Sequence, residues 1–489
     1  MQCSFINQYS IKGFPDLLTT STQFNKLKTR EKRLLLLDRC NWFISSIIKE
    51  HIKLDSPYGT YVNLHSQILK KYLGDRTYKD VQMCLIGLGI IIENPKYWTS
   101  KFSKSFSLTP KAIKLSTNET HIYSKKFNSK IKTLSKVNFR EIYSHPILKK
   151  ILNNTVKLLV VEEPLYYVEQ IIPQPKYVET NEGQIDISEQ INIFKVDRYN
   201  AYYNSFYALN DITDPEILFN SSINYRPSIA KSGRIYHTIA YMPKLIRQSL
   251  RTKSNELIWE VDMTSAQPSI IFLEWLKWAK KNYTKNFKDE YELCLKLLLE
   301  GSIYKHIESN SEYFKGLEYK KLKQNVLAVI NAEDKPTKQN EELSRLFPNV
   351  MAWINTIKKN AGYKEVSFIG QNAEANIFVE VYKNLPDKEF ALIIHDCILT
   401  TKKNIETVKT LLENRVRELY QDIITPQNKL DNLFKTELVS IPDEMLEKNQ
   451  RDAYFKQQYE NGINSWFLLI NQSKWKLDKV HFKLIRLHS

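Results

Sequence analysis

Two aspartates carry the chemistry open to this sequence. Trp259-Glu260-Val261-Asp262-Met263-Thr264-Ser265-Ala266-Gln267-Pro268 places a carboxylate at the end of an extended stretch, just ahead of a helix. Phe390-Ala391-Leu392-Ile393-Ile394-His395-Asp396-Cys397-Ile398-Leu399 places a second at the tip of a tight hairpin with apolar arms. A rigid strand end fixes a carboxylate and leaves the open end of the sheet to substrate. An ionised carboxylate beside apolar strands is costly unless a cation or a partner compensates it. Asp262 and Asp396 can meet only through tertiary folding. Together they could hold two Mg²⁺ ions, with Mn²⁺ as a substitute, about 3.5–4 Å apart, as phosphoryl-transfer enzymes do. One ion would lower the pKa of an attacking hydroxyl. The other would neutralise charge on the leaving oxygens. Taken singly, a strand-end Asp is more often a cap or turn residue, so the surrounding order must decide.

The elements that position them follow from periodicity. Glu256 to Thr264 is extended and Pro268 to Lys281 is helical. A largely helical insertion runs to about residue 362, and residues 389–401 form the hairpin around His395-Asp396. Near the start, Leu34, Leu35, Leu37, Phe43, Ile47 and Ile48 lie at roughly helical spacing. Val62, Leu64, Ile68, Leu69 and Tyr72 predict a helix that stops at Gly74. Thr77 can cap a second helix, with Asp80 three residues on. Gly89 to Glu93 is a short β run, Asn94-Pro95 a turn, and Phe102 to Leu108 alternates as a second strand.

Helix, turn, helix and a two-stranded wing over residues 1–120 resembles winged-helix DNA-binding domains of replication and plasmid proteins. That resemblance implies contacts to duplex DNA, sequence-specific ones included, from Arg76 and Lys79 at the start of the second helix. Lys96, Lys101 and Lys104, in or beside the wing, could reach phosphates. The bland alternative is a structural helix–hairpin with a solvated lysine face.

Composition frames these readings. The 489 residues carry 71 Lys+Arg against 54 Asp+Glu, a net charge of +17. At about 100–200 residues per domain, two to four domains are expected. A hydrophobic share of 42% is enough for a real core, which argues against wholesale disorder. The charge favours a polyanion, nucleic acid first and a membrane surface second. An AT-rich genome that inflates lysine would give the same excess. The five cysteines are scattered with no CxxC pair, which disfavours a zinc ribbon or a disulfide framework. No apolar run reaches the roughly 18–20 residues of a membrane span, and the first residues lack the order of a signal peptide. The expectation is a soluble, cytoplasmic protein of a bacterium or phage-infected cell, with no membrane partner. Residues 121–227 hold a basic run, Lys125 to Lys136, and an acidic, proline-containing tract at 162–190 that predicts a linker. Tyr199, Tyr202, Tyr203, Phe206 and Tyr207 are expected in a core.

A longer ordered set spans about residues 230–405. Ser232-Gly233-Arg234, then Ile246-Arg247-Gln248-Ser249-Leu250, then Asp262 with Gln267, resembles family A DNA polymerases. Gly301-Ser302-Ile303-Tyr304, the stretch Lys323 to Ala332, Phe347-Pro348-Asn349-Val350, Gln371-Asn372-Ala373-Glu374-Ala375-Asn376-Ile377 and His395-Asp396 continue it in the family's order. The resemblance implies a right-hand α+β fold, with an antiparallel palm sheet and helical fingers and thumb. It implies Asp262 and Asp396 as metal ligands, with the Met263 carbonyl as a further oxygen. Lys323 would meet the incoming triphosphate, with Gln267, Leu327 and Asn331 beside the nucleotide. Arg234, Arg247, Gln371 and Asn372 would contact primer and template, and His395 would position the primer terminus.

Departures from the family pattern bear on specificity. Gln267 stands where its DNA polymerases usually carry Glu, which blocks a ribose 2′-hydroxyl. Leu327 replaces an aromatic, Asn331 a Tyr, and Cys397 the carboxylate that often follows His-Asp. Single-subunit phage RNA polymerases, which are distantly similar, also use His-Asp. The expected organisation is a winged-helix-like domain at 1–120, a linker and thumb-like region at 121–227, and palm and fingers at 228–489. The expected activity is DNA-directed DNA synthesis from primer-template and dNTPs, for a phage, plasmid or mobile element. No proofreading exonuclease is expected, because the winged-helix segment and the basic and acidic tracts occupy the stretch ahead of Ser232. An RNA polymerase or primase-polymerase taking NTPs, and a non-catalytic DNA-binding protein with a decayed palm, stay open.

Overall fold

The computed structural model describes residues 7–54, 58–94, 104–115, 117–135, 139–160, 177–180, 183–186, 227–242, 247–282 and 287–440. The fold is α+β: helices are packed around small antiparallel sheets. Among the described residues, no helix is long and apolar enough to cross a membrane. Lys96, Lys101, the tyrosine-rich stretch at 199–207 and most of the acidic tract lie outside the described residues.

The N-terminal part is built on helix α1 (Arg30–Leu54). Leu36, Leu37, Cys40, Phe43, Ile44, Ile47, Ile48 and Ile52 recur every three or four residues and are all buried. Strands β1 (Asn7–Ile11) and β5 (Thr117–His121) pair antiparallel, and β1 packs against α1. Asp38 of α1 accepts from the main-chain N–H groups of Tyr123 and Ser124, 2.9 and 2.6 Å away. Next come β2 (Val62–Asn63), α2 (Ser66–Leu73), α3 (Thr77–Gly87), β3 (Ile91–Glu93) and β4 (Ser105–Leu108). Phe43 meets Phe106 edge to face at 5.2 Å and ties α1 to β4.

Three expectations are corrected here. The helix expected from Val62 begins at Ser66, because Val62 is taken into β2 and pairs with Phe106. The sheet expected as a two-stranded wing has three strands, in the order β2-β4-β3. Thr77 is the first helical residue. Arg76 holds the cap position with no side-chain cap bond. Gly74 ends α2 at φ 97°, a left-handed conformation that favours glycine.

Residues between this part and the sheet that follows add α4 (Pro146–Thr155), β6 (Leu158–Val160) and a hairpin of β7 (Tyr177–Thr180) and β8 (Gly183–Asp186). Strands β9 (Ser228–Ile229) and β10 (Ile235–Tyr236) pair next, followed by β11 (Leu250–Thr252), which pairs with β6. Lys150 of α4 donates to the Leu385 carbonyl. Asn154 of α4 accepts the Ala391 N–H at 3.4 Å.

The central sheet is antiparallel in the order β13 (Ala391–Ile394), β14 (Cys397–Thr401), β12 (Ile258–Met263), β15 (Phe434–Leu438). Helices α5 (Ala266–Lys281), α11 (Tyr363–Asn384) and α12 (Ile405–Leu419) pack with it and with one another. The insertion comprises α6 (Lys288–Glu300), α7 (Ile303–Ser309), α8 (Tyr319–Asn331), α9 (Lys338–Leu346) and α10 (Pro348–Ala361). Pro348 opens α10, where a missing N–H costs nothing. The buried Glu290 of α6 accepts from the Asn349 and Val350 N–H groups at 2.8 and 3.0 Å and so serves as the missing cap.

Candidate active site

The sheet brings the two sequence-predicted aspartates together. β12 ends at Met263, and the chain turns through Ser265 at φ 52° into α5. The two-residue turn between β13 and β14 is His395-Asp396, with His395 at φ 49°. Three non-glycine residues have positive φ, among those described, and two of them are these turns. Such conformations persist only where surrounding structure imposes them. Asp262 pairs in register with Cys397, next to Asp396, and the Met263 N–H donates to the Asp396 carbonyl at 3.2 Å.

The electrostatics follow from that closeness. Burial, then the negative charge of Asp396, pushes Asp262 up to about 6. Lys435 of β15, in register with Asp262, opposes this with its ammonium 3.3 Å from Oδ2. The same ammonium donates to Glu437 Oε1 at 2.8 Å. Two carboxylates and a strand-end carbonyl are a hard oxygen donor set, and a divalent cation would relieve the repulsion between the acids. Among the described residues, no group of three or more His, Cys, Asp or Glu side chains is arranged to hold a metal.

The Ser232-Gly233-Arg234 element meets α11. Gly233 has φ 80°, and a Cβ there would lie 3.0 Å from Ala375 Cβ, so a side chain would be both strained and crowded. Arg234 forms a forked pair with Glu374, Nε to Oε1 at 2.7 Å and Nη2 to Oε2. Glu374 is 4% exposed. Burial drives it up to about 7 against the pull of Arg234. Burial lowers the guanidinium, but the Glu374 bonds more than restore it and it stands above its ordinary value. Arg234 was expected on primer or template. Here its guanidinium is paired with this carboxylate.

His395 is packed edge-on to Tyr236 at 5.3 Å. Burial, then the charge of Arg234, holds it below the usual imidazole value, which favours the neutral ring. His237 Nε2 lies 2.6 Å from the Ile393 carbonyl and fixes the hairpin arm. Burial takes His237 down to about 4, so the neutral ring donates there. Arg247 is half-buried, and its charge reaches His395 and Cys397.

Gln267, on the first turn of α5, donates from Nε2 to Asn331 Oδ1 at 2.8 Å. Ser367 of α11 donates to the same oxygen at 2.9 Å. Lys323, Leu327 and Asn331 are four apart on α8 and share a face, with Lys323 exposed and the other two half-buried. Gln371 and Asn372 are half-buried on α11. In the N-terminal part Arg76 and Lys79 are exposed. Lys104, expected on a phosphate, is paired with Glu93, which also accepts from Gln82.

Sequence reasoning missed Glu374, Lys435 and Glu260. Glu374 sits inside the quoted Gln371–Ile377 stretch, and its buried helix face was the available signal. Glu260 lies two residues before Asp262, on the same strand face. The Cys397 thiol points at Glu260 Oε2, 3.9 Å away.

No family model and no curated protein matches the chain. Among solved structures, the chain is similar to the polymerase domain of Pol1 from M. smegmatis, in complex with DNA primer-template and dNTP. The identity is 10%, the match covers 80% of each chain, and the TM-score is 0.35.

Proposed function

We propose that the chain is a template-directed nucleotidyltransferase, a compact DNA-directed DNA polymerase of a phage, plasmid or mobile element. The observation that carries this reading is Asp262 at the end of the central strand against Asp396 at the adjacent hairpin tip. In this reading the four-stranded sheet is the palm, α7 to α10 are the fingers, and residues 121–227 contribute a thumb.

Asp262 and Asp396 would hold Mg²⁺ or Mn²⁺, with the Met263 carbonyl as a further oxygen. When bound, the ions supply Lewis acidity to a primer 3′-hydroxyl and to the leaving pyrophosphate. The chain's own residues do the positioning. Glu374 fixes Arg234 beside Asp396. The neutral His395 stands at the hairpin tip, where it can hold a primer terminus through hydrogen bonds without repelling a cation. Exposed Lys323 offers a point charge to a triphosphate. The Gln267–Asn331 bond lays an amide across the edge of α8, where a sugar would be read.

The α1-β2-α2-α3-β3-β4 order with exposed Arg76 and Lys79 supports a winged-helix reading of the N-terminal part, bound to duplex DNA. A second reading, RNA synthesis or priming, is favoured by the neutral side chain of Gln267.

The test is primer extension in Mg²⁺ with dNTPs or NTPs, on wild type and the Asp262→Ala/Asp396→Ala variant. Extension with dNTPs alone, lost in the variant, is expected. Extension with NTPs moves the reading to RNA synthesis. No extension with either, despite tight DNA binding, leaves a non-catalytic DNA-binding protein.

A further inference from the structure

We propose that Lys435 is a tethered counter-ion of Asp262, which a divalent cation must displace to bind. This rests on the polymerase reading of the same site.

Strands β12 and β15 set four charged residues face to face. Asp262 pairs with Lys435, and Glu260 with Glu437. Each strand alternates faces with a period of two, so all four point to one side. Three carboxylates and one ammonium therefore lie on one face of these strands. Like charges directly opposite each other across strands repel, and the Glu260–Glu437 pair is of that kind. Lys435 answers this by spanning two acids, 3.3 Å from Asp262 Oδ2 and 2.8 Å from Glu437 Oε1. The side chain is 44% exposed, so the flexible stem is free to swing its head out into solvent.

Asp262 Oδ2 is thus covered by a positive charge on the β15 side. A dication arriving at Asp262 meets both that charge and that volume. Glu437 then matters as a parking place: it keeps the displaced ammonium on the same strand, two residues away. The counter-ion makes the cation-free sheet electrically tolerable and sets the concentration at which a cation takes over. The direction of the effect is diagnostic. A lysine that merely braces the sheet would, on removal, loosen the site and weaken cation binding. A competing ammonium, on removal, leaves Asp262 open and strengthens it.

The experiment is Mn²⁺ binding to the full chain, read by electron paramagnetic resonance of free Mn²⁺ and by calorimetry. Wild type, Lys435→Met, Lys435→Arg and Asp262→Asn are compared, with Lys435→Gln as a second neutral variant should the methionine fail to fold. Lys435→Met is expected to lower the Kd about fivefold, the scale of a partly exposed ion pair. Lys435→Arg should stay near wild type, and Asp262→Asn should abolish the site. Unchanged or weaker binding in both neutral variants, with Asp262-dependent binding intact in wild type, overturns the role of Lys435 alone. Absence of any Asp262-dependent Mn²⁺ binding in wild type overturns the metal-site reading beneath it.

Discussion

The region around the central sheet and the N-terminal helix–sheet unit answer charge with different partners. Around the sheet, charge is matched by charge: Arg234 with the buried Glu374, and the exposed Lys435 with the partly buried Asp262. In the N-terminal unit the buried Asp38 is answered by main-chain N–H groups rather than by a cation, and Arg76 and Lys79 stay in solvent. Buried charge is expensive and is kept only where geometry must be fixed. Exposed charge is nearly free and suits a polyanion met along its backbone. The contrast matches the division of labour proposed above, one region holding reacting groups and the other meeting a long polyanion.

The contrast should break most visibly at Arg234. Arg234→Met leaves Glu374 buried without a partner and should cost about 3–5 kcal/mol. Thermal unfolding measures it, and a loss under 1 kcal/mol would mean that the pair is solvated. Asp262→Asn should act in the opposite direction. The folded pKa of about 6 lies above the ordinary 3.8, so the folded protein binds the proton more readily and loses stability as pH rises from about 4 to 6. Above that window the neutral amide should stabilise the cation-free protein by about 1–3 kcal/mol while abolishing extension. Near pH 3 the two proteins should melt together. A stabilisation equal at pH 3 and pH 8 would sink the electrostatic account.

Asn331→Ala removes the acceptor shared by Gln267 and Ser367 and should cost about 1 kcal/mol. It should also narrow the preference for dNTPs over NTPs in extension assays. An unchanged preference would take Gln267 out of sugar reading. Arg76→Ala with Lys79→Ala should leave stability within about 0.5 kcal/mol. Duplex affinity should nevertheless fall, and the slope of its logarithm against log salt should drop by about 2. An unaltered slope would place the DNA-contacting face elsewhere.

Much of the site was legible because its signals are local. The strand expected over Glu256–Thr264 forms at Ile258–Met263, and the hairpin expected over 389–401 forms at Ala391–Thr401. Apolar runs ended by an acid and a turn are short-range patterns. Lys435 was illegible for the opposite reason. Phe-Lys-Thr-Glu-Leu carries too few apolar residues to announce a strand. It becomes one only by pairing with β12, a contact that sequence spacing does not reveal. Glu374 was hidden by company: on a helix of mixed composition, nothing marks one acid as buried until Arg234 arrives from residues 140 positions earlier. Likewise β2 is two residues long, too short for periodicity to register.

The order of strands in the central sheet has a consequence for how the chain is made. β12 lies between β14 and β15, and both neighbours are encoded well downstream of it. At about 5–20 residues per second, β15 is synthesised on the order of ten to thirty seconds after β12. Until β14 is made the segment that carries Asp262 has neither neighbour, and until β15 is made one of its edges stays open. Such edges invite pairing with other chains. The strand that carries Asp262 therefore waits for the last strand of its sheet until residues 434–438 are made.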